Sequence, residues 1–200
     1  MLCFTLPQVQ LSTFHHSPHP ETVYINQSLV SYIEGIAAPK TPFKNISTFT
    51  NGESLLQLKL MEINNTFNLV NPEVYQGDIL ASMTSIIADR PPCGVIVFEN
   101  VHTLPMLQFL YILCSAYTTV QLYNPVLNYN EHERFVICTG FKRPIKLPDP
   151  PYSFIPHQYF LLKVEELNAI FGQQQLENLR TDKGDGMCAE WKARFYKFKK

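Results

Sequence analysis

The chain has 200 residues, a formal net charge of −1 and 16% charged residues. That length can bury a core and suits one domain, or one domain with a small appendage. A nearly neutral chain has no global basic field to hold nucleic acid by phosphate neutralisation, so any RNA contact has to be local. Fifteen prolines and 46% hydrophobic residues indicate a folded protein with stiff connections.

The five cysteines are widely spaced and lack the paired arrangement of a zinc site. We therefore expect reduced, mostly buried thiols and no metal. The histidines His15, His16 and His19 have no carboxylate or cysteine nearby, and we interpret them as exposed loop residues. No apolar run reaches the roughly 18 residues of a membrane span, and the start lacks a signal-peptide pattern. We expect a nuclear or cytoplasmic protein without a membrane partner.

In chain order, the first part of the sequence predicts a flexible start followed by short elements. Residues 1–22 mix prolines and histidines without periodicity, which predicts a flexible N-terminal segment. Alternation at Leu56, Leu58 and Leu60 favours a strand with one buried face. Apolar runs predict a strand end leading into a short helix over 23–36, and strands at 46–50, 55–63 and 67–70.

The second part of the sequence alternates helical and strand patterns. Residues 94–98 form a continuous β-branched and aromatic run, typical of a central strand buried on both faces. Thr103 is a plausible N-cap for a helix whose apolar side chains we interpret as core: Met106, Phe109, Leu110 and Leu113. The predicted elements are helices at 75–88, 103–117, 157–180 and 187–198, and strands at 94–98, 120–123 and 134–138. This order predicts a mostly parallel sheet covered by helices, in which 134–138 can pair antiparallel.

The segment 94–142 also carries a family resemblance. It contains a glycine-led strand that ends at Phe98-Glu99, a helix, a strand closing in Asn124-Pro125, a polar loop to His132-Glu133, and a strand running through Cys138-Thr139-Gly140-Phe141. This order resembles the carboxyl half of the FtsJ-like (Rossmann-fold) 2'-O-ribose methyltransferases, over about a quarter of the chain. The resemblance implies a degenerate Rossmann-fold methyltransferase-like α/β domain over 23–143, with a Pro-rich hinge and C-terminal helical extension over 144–200.

The departures from the family predict that this chain is not catalytic by itself. Enzymes of the family use a Lys-Asp-Lys-Glu tetrad to orient and deprotonate a ribose hydroxyl. Glu133 matches the glutamate, but Glu99 replaces the second lysine, which reverses the local charge. Glu73 is a weak substitute for the aspartate. No glycine-rich cofactor loop is found, so we expect no bound cofactor in this chain, with S-adenosyl-L-methionine belonging to the presumed parent enzyme.

Within the family, the pattern is most similar to the decayed second domain that follows the active one in cap-specific members. It implies a non-catalytic domain that supports or positions an active S-adenosyl-L-methionine-dependent domain, its partner in the parent protein, or capped mRNA. Two alternatives stay open: a fragment of an active FtsJ-like RNA 2'-O-methyltransferase, and a divergent protein-interaction module.

The C-terminal residues combine aromatic and basic side chains. Such a mixture is found in single-strand RNA platforms and equally in an amphipathic helix that docks through its aromatics, which is the interpretation we favour. The aromatics concerned include Trp191 and Phe195. Possible RNA contacts are Lys192, Arg194, Lys197 and Lys199.

Overall fold

A computed structural model of the protein describes residues 2–10, 53–98, 103–128, 133–142, 154–181 and 184–195. Within these ranges the chain forms one five-stranded sheet flanked by helices. The strands are β1 (Leu2–Thr5), β2 (Glu73–Gln76), β3 (Cys93–Phe98), β4 (Tyr117–Asn124) and β5 (Arg134–Phe141). The helices are α1 (Leu55–Phe67), α2 (Ile79–Asp89), α3 (Leu104–Ala116), α4 (Gln158–Thr181) and α5 (Gly184–Phe195).

The strand order is β1-β4-β5-β3-β2, and the sheet is mixed. Only β2 and β3 are parallel, whereas β1–β4, β4–β5 and β3–β5 are antiparallel. The expectation of a mostly parallel sheet was therefore wrong. The reason is that β4 and β5 follow each other without an intervening crossover helix, which a parallel pair requires. The antiparallel pairing of the strand that begins at Arg134 is confirmed.

Helix α1 occupies residues for which we expected strands at 55–63 and 67–70. Its start is fixed by a capping box, in which the Gln57 amide donates to Ser54 Oγ at 3.2 Å and the Ser54 amide donates to Gln57 Oε1 at 2.7 Å. The buried side chains Leu58, Lys59, Glu62 and Ile63 follow a helical period. The alternating leucines were thus misleading, because the capping box sets the local structure.

Two further expectations near strands were wrong in part. Residues 2–5 form strand β1 rather than a flexible start, because Phe4 and Leu6 pack into the core. The helix expected from residue 75 begins at Ile79, where the Asp78 carboxylate accepts from the Ala81 amide at 2.9 Å. The residues before it form β2. The elements predicted at 23–36 and 46–50, and most of the hinge, lie outside the described residues.

The core forms where α3 packs between the sheet and α4. The apolar stripe Met106, Phe109, Leu110 and Leu113 is fully buried there, as predicted. Strand β3 is an inner strand with buried side chains, also as predicted. The predicted C-terminal helices are present as α4 and α5, and α4 contributes Phe160, Val164 and Phe171 to the same core. This helix is therefore an integral layer of the domain.

The cysteines described are free. Cys114 and Cys138 are buried and Cys93 is half-buried, which confirms the prediction for these three, while Cys3 is exposed. Burial raises the pKa of the Cys114 and Cys138 thiols, because the thiolate would lose its hydration. These two thiols are therefore packing residues rather than nucleophiles.

Candidate functional site

The charged residues that are buried in the described part of the chain meet at one end of the sheet. Phe98, the last residue of β3, is in register with Arg134, the first residue of β5, so the carboxyl end of β3 and the start of β5 coincide. Strand β4 ends at Asn124 beside them. Helix α1 packs over this end and contributes Lys59 and Glu62.

Lys59 is the centre of this end of the sheet. It is 1% exposed, and its Nζ donates to Glu133 Oε2 at 2.7 Å and to Asn128 Oδ1 at 3.1 Å. The Glu133 side chain is 38% exposed, so the carboxylate faces solvent while its cation does not. Burial lowers the pKa of Lys59, and the hydrogen bond and charge of Glu133 partly oppose that shift.

Glu62 lies one turn further along α1 and is fully buried. Its Oε1 accepts from the Tyr123 hydroxyl at 2.6 Å and from the Val126 amide at 2.9 Å, and its Oε2 accepts from Trp191 Nε1 at 2.8 Å. Burial raises the pKa of Glu62, whereas the three hydrogen bonds favour the ionised carboxylate. The carboxylate thereby joins β4, the loop after it and α5 to α1.

Asparagine side chains complete the arrangement. Asn128 Nδ2 donates to Asn124 Oδ1 at 2.7 Å and to the Glu133 carbonyl at 2.6 Å. Arg134 donates to the same carbonyl at 2.9 Å and lies over the Phe171 ring at 5.0 Å. Burial lowers the pKa of Arg134 to about 10. We refer to this set as the polar cluster: Lys59, Glu62, Tyr123, Asn124, Asn128, Glu133, Arg134 and Trp191.

Among the described residues, the members of the polar cluster satisfy one another's hydrogen bonds. Both oxygens of Glu62 are used as acceptors, and Lys59 is held between Glu133 and Asn128. Buried polar groups that satisfy one another rigidify a fold and specify its packing. Within the cluster, Glu133 is the charged residue whose side chain is substantially exposed.

The structure separates the family-motif positions. Glu133 belongs to the polar cluster, and Glu99 lies outside the described residues. Glu73 pairs in register with Gly94, the second residue of β3, whereas Arg134 pairs with Phe98 at the other end. Four residues along a strand span about 13 Å. Glu73 is therefore at the opposite end of the sheet from Glu133 and is not a substitute for the family's aspartate.

Among the predicted RNA-contact residues, Lys192 and Arg194 are exposed on α5, and Lys197 and Lys199 lie outside the described residues. Trp191 is fully buried and Phe195 is 6% exposed, so neither can stack on a base. The prediction that the C-terminal helix docks through its aromatic side chains is therefore confirmed for Trp191 and Phe195. The Arg194 guanidinium lies over Phe195 at 5.7 Å.

Within the described part of the chain, one complete strand-to-helix turn can be compared with a family cofactor site. Family cofactor sites need a strand-to-helix turn at which glycines let the backbone approach the ligand. The fully described turn of this type runs from β2 to α2 and contains one glycine, Gly77, with φ of 100°. At the start of the helix behind it, the Ala81 amide already donates to the Asp78 carboxylate and is not available to a ligand carboxylate.

Sequence reasoning missed Lys59 and Glu62. Because α1 was interpreted as a strand, two residues three apart were assigned to opposite faces, whereas a helix places them on one face. The sequence does contain a signal for the helix, because a Ser-x-x-Gln capping box, Ser54 to Gln57, precedes the apolar run. The charged residues Lys59 and Glu62 lie inside that run.

The described residues thus define a mixed α/β domain with a buried charge network at one sheet end. They contain no group of three histidine, cysteine or acidic side chains arranged to hold a metal ion. Among the described helices, none combines the length and apolar character that a membrane crossing requires.

The chain matches no protein-family model, and no curated protein matches its sequence.

Proposed function

We propose that the chain is a non-catalytic methyltransferase-like domain of a cap-specific mRNA 2'-O-ribose methyltransferase, similar to the decayed second domain of cap-specific mRNA (nucleoside-2'-O-)-methyltransferase 2. Its role is to support or position an active S-adenosyl-L-methionine-dependent domain, or the capped RNA that this domain modifies. The order of β3, α3, β4 and β5, with a polar loop before β5, supports the resemblance. The mixed α/β sheet is compatible with a Rossmann-like fold.

The observation that carries the non-catalytic proposal is the contact between Glu133 and Lys59. Glu133 is the position at which the sequence keeps the family's residue. Its carboxylate is bound to a lysine whose side chain is buried and held from its other side by Asn128. A carboxylate engaged in this way stabilises a packed loop, and the buried ammonium cannot reach a ribose hydroxyl.

The same pair is what favours the alternative of an active-enzyme fragment. A lysine from the amino-terminal third of the chain contacts the family's glutamate, as two members of a tetrad would. Accessibility decides between the two functions, because a catalytic group has to come within hydrogen-bond reach of the proton it moves. Lys59 is 1% exposed, so we retain the non-catalytic proposal.

Calorimetric titration with S-adenosyl-L-methionine and a methylation assay on capped RNA test this proposal. We expect neither binding nor transfer by the chain alone, with an active FtsJ-like enzyme as the positive control. Binding tighter than about 100 μM, roughly −5.5 kcal/mol, or any transfer would contradict it.

The supporting role needs a separate measurement. Where the chain is joined to an active domain, its removal should lower methyl transfer to capped RNA and leave the active domain's affinity for S-adenosyl-L-methionine unchanged. Unchanged transfer after removal would refute the positioning role. Fluorescence anisotropy with capped RNA, comparing the native chain with a Lys192→Ala/Arg194→Ala variant, then distinguishes positioning of RNA from positioning of the active domain.

A further inference from the structure

The outer edge of β1 differs from the other edge of the sheet. In the described part of the chain, β1 and β2 are the two outermost strands. Strand β2 carries the exposed Glu73 and is followed by Asp78, whereas β1 reads Leu-Cys-Phe-Thr and has no charge. Natural sheets protect their edges with charged residues, prolines or bulges, because an unprotected edge is a template for another strand. Strand β1 lacks a charge of this kind.

The backbone of β1 presents its hydrogen-bonding groups outward at defined residues. The Leu6 amide donates to the Val120 carbonyl at 2.9 Å, and the register continues as Phe4 opposite Leu122. Because an antiparallel ladder alternates, Leu6 and Phe4 turn their amides and carbonyls toward β4, while Cys3 and Thr5 turn theirs away from it. Among the described residues, the outward backbone groups of Cys3 and Thr5 have no strand partner, so an extended segment can form hydrogen bonds with them.

The strand is also held firmly enough to act as a template. Leu6 is 1% exposed, and Phe4 makes an edge-to-face contact with Phe171 of α4 at 5.4 Å. Gln8, just past the strand, donates to the Thr118 carbonyl at 2.6 Å and accepts from Lys142. A pre-ordered edge reduces the entropy lost when a second strand pairs with it.

A groove runs beside this edge. It has a volume of about 350 Å³, which is near the lower limit of ligand pockets and accommodates one or two side chains. Apolar side chains line it from both sides, Phe4 and Leu6 from the β1 segment and Tyr159, Leu167 and Ile170 from α4. Lys163 and Glu166, which form an ion pair at 2.8 Å, also line the groove and balance each other's charge. Tyr159 is 56% exposed and Leu162, one turn further on, is 55% exposed, so apolar surface continues onto the outer face of α4.

We propose that β1 and this groove bind an extended, uncharged peptide segment of a partner protein by strand addition. The partner backbone pairs with Cys3 and Thr5, and every second side chain, apolar and of valine or leucine size, enters the groove. In this binding mode the main chain supplies affinity and the alternate pockets supply specificity. The proposal does not depend on the methyltransferase resemblance, since it rests on one edge strand and one helix face.

Selection from a library of random seven-residue peptides displayed on phage tests the proposal. We expect enriched sequences with apolar residues at alternate positions. Replacing Thr5 by Pro removes an outward amide without touching a ladder bond to β4, so Thr5→Pro should weaken binding at least about tenfold. Thr5→Val keeps that amide and is the matched control. Tyr159→Ala alters an exposed groove residue, so it tests the groove even if Thr5→Pro changes the fold.

The best selected peptide then tests strand pairing directly. Methylating its alternate backbone amides in two complementary sets should abolish binding for one set and spare the other. Amide hydrogen exchange at Cys3 and Thr5 should be fast in the free protein and slow in the complex. Slow exchange in the free protein would show that the edge is already covered and would overturn the proposal. Binding that is insensitive to both methylation sets, or no enrichment over the Thr5→Pro protein, would overturn it too.

A second copy of the chain is the competing occupant. Antiparallel pairing of two β1 strands about Phe4 would place Cys3 opposite Thr5 of the second copy, so a Thr5→Cys variant would form intermolecular disulfides with Cys3. We expect a monomer without such crosslinks. Efficient crosslinking would overturn the peptide proposal.

Discussion

The ammonium of Lys59 lies 2.7 Å from the carboxylate of Glu133, a residue 74 positions further along the chain. The two partners have unequal surroundings, because the Lys59 side chain is 2% exposed and the Glu133 side chain 38%. An ion pair of this kind is asymmetric. The exposed partner can be hydrated by water when the pair is broken, and the buried partner cannot.

The asymmetry predicts unequal effects of removing each partner. Glu133→Gln leaves a buried ammonium without its counterion and should lower the free energy of unfolding by about 2 kcal/mol, a value already reduced for the exposure of Glu133. Lys59→Met keeps the volume and lets Glu133 hydrate, but the buried Asn128 Oδ1 loses a donor, so it should cost about 1 kcal/mol, less than Glu133→Gln. Denaturant midpoints of the two variants and of the double variant measure this. Equal costs would show that the burial difference has no energetic consequence.

The stability deficit of Glu133→Gln should depend on pH. Burial holds the pKa of Lys59 below its unfolded value of 10.5, so between the two values the unfolded chain binds more protons and stability rises with pH. Glu133 raises the pKa of Lys59, so this pKa is lower still in the folded Glu133→Gln variant. The pH range over which stability rises is therefore wider in the variant. The deficit of Glu133→Gln should therefore shrink as the pH rises toward 10.5, and Lys59→Met/Glu133→Gln should show no such recovery. A deficit that is constant with pH would contradict this assignment.

Glu62 and Trp191 should be strongly coupled. Glu62→Gln turns an amide NH₂ toward at least one of the three donors around it. The substitution should therefore lower the free energy of unfolding by about 2 kcal/mol. Trp191→Phe removes one of those donors. A double-mutant cycle on unfolding free energies should give a coupling of about 1 kcal/mol or more. Trp191 is the chain's single tryptophan, so its fluorescence reports the loss of this contact in Glu62→Gln, while circular dichroism serves both variants. Additive costs would contradict the direct hydrogen bond.

Arg90 ends helix α2 in a left-handed conformation, with φ of 54°. That conformation is costly for a residue with a Cβ and free for glycine, so Arg90→Gly should stabilise the protein by about 0.5–1 kcal/mol. Asn68 ends α1 with φ of 52° and is the matched control, because asparagine tolerates this region. Asn68→Gly should therefore change thermal stability little. A loss of stability in Arg90→Gly would reveal a contact of the arginine side chain that outweighs the strain.

Gly140, the glycine of the family-like Cys-x-Gly-Phe segment, has φ of 69°. A Cβ there would lie 2.9 Å from Thr118 Oγ1, the hydroxyl that donates to the Gly140 carbonyl. Gly140→Ala should therefore cost about 2 kcal/mol, from backbone strain and the displaced hydroxyl together. Gly77 has φ of 100°, and a methyl group added to it would meet no atom within 4 Å, so Gly77→Ala isolates the backbone contribution. A smaller cost at Gly140 than at Gly77 would contradict the close approach to Thr118.

Sequence patterns predicted the elements whose period was unambiguous. The buried run of β3 and the apolar face of α3 are examples, because a continuous β-branched run and a helical stripe each have one low-energy interpretation. Patterns failed at α1, where Leu56, Leu58 and Leu60 alternate with the period of a strand although the residues form a helix. The polar cluster was unpredictable for the same reason, since it requires α1 as a helix and a contact between residues 62 and 191. Such long-range contacts leave no local periodicity.

The two residues of the contact between Glu62 and Trp191 are 129 positions apart, so the contact can form only late in synthesis. A ribosome that adds about 5–20 residues per second makes the carboxylate many seconds before the indole that covers it. During that interval α1 has a charged group on the face it will later bury, and water is its partner. Until then, we expect a hydrated gap at this end of the sheet. Helix α5 closes that gap, so the burial of Glu62 has to wait until residue 191 has been made.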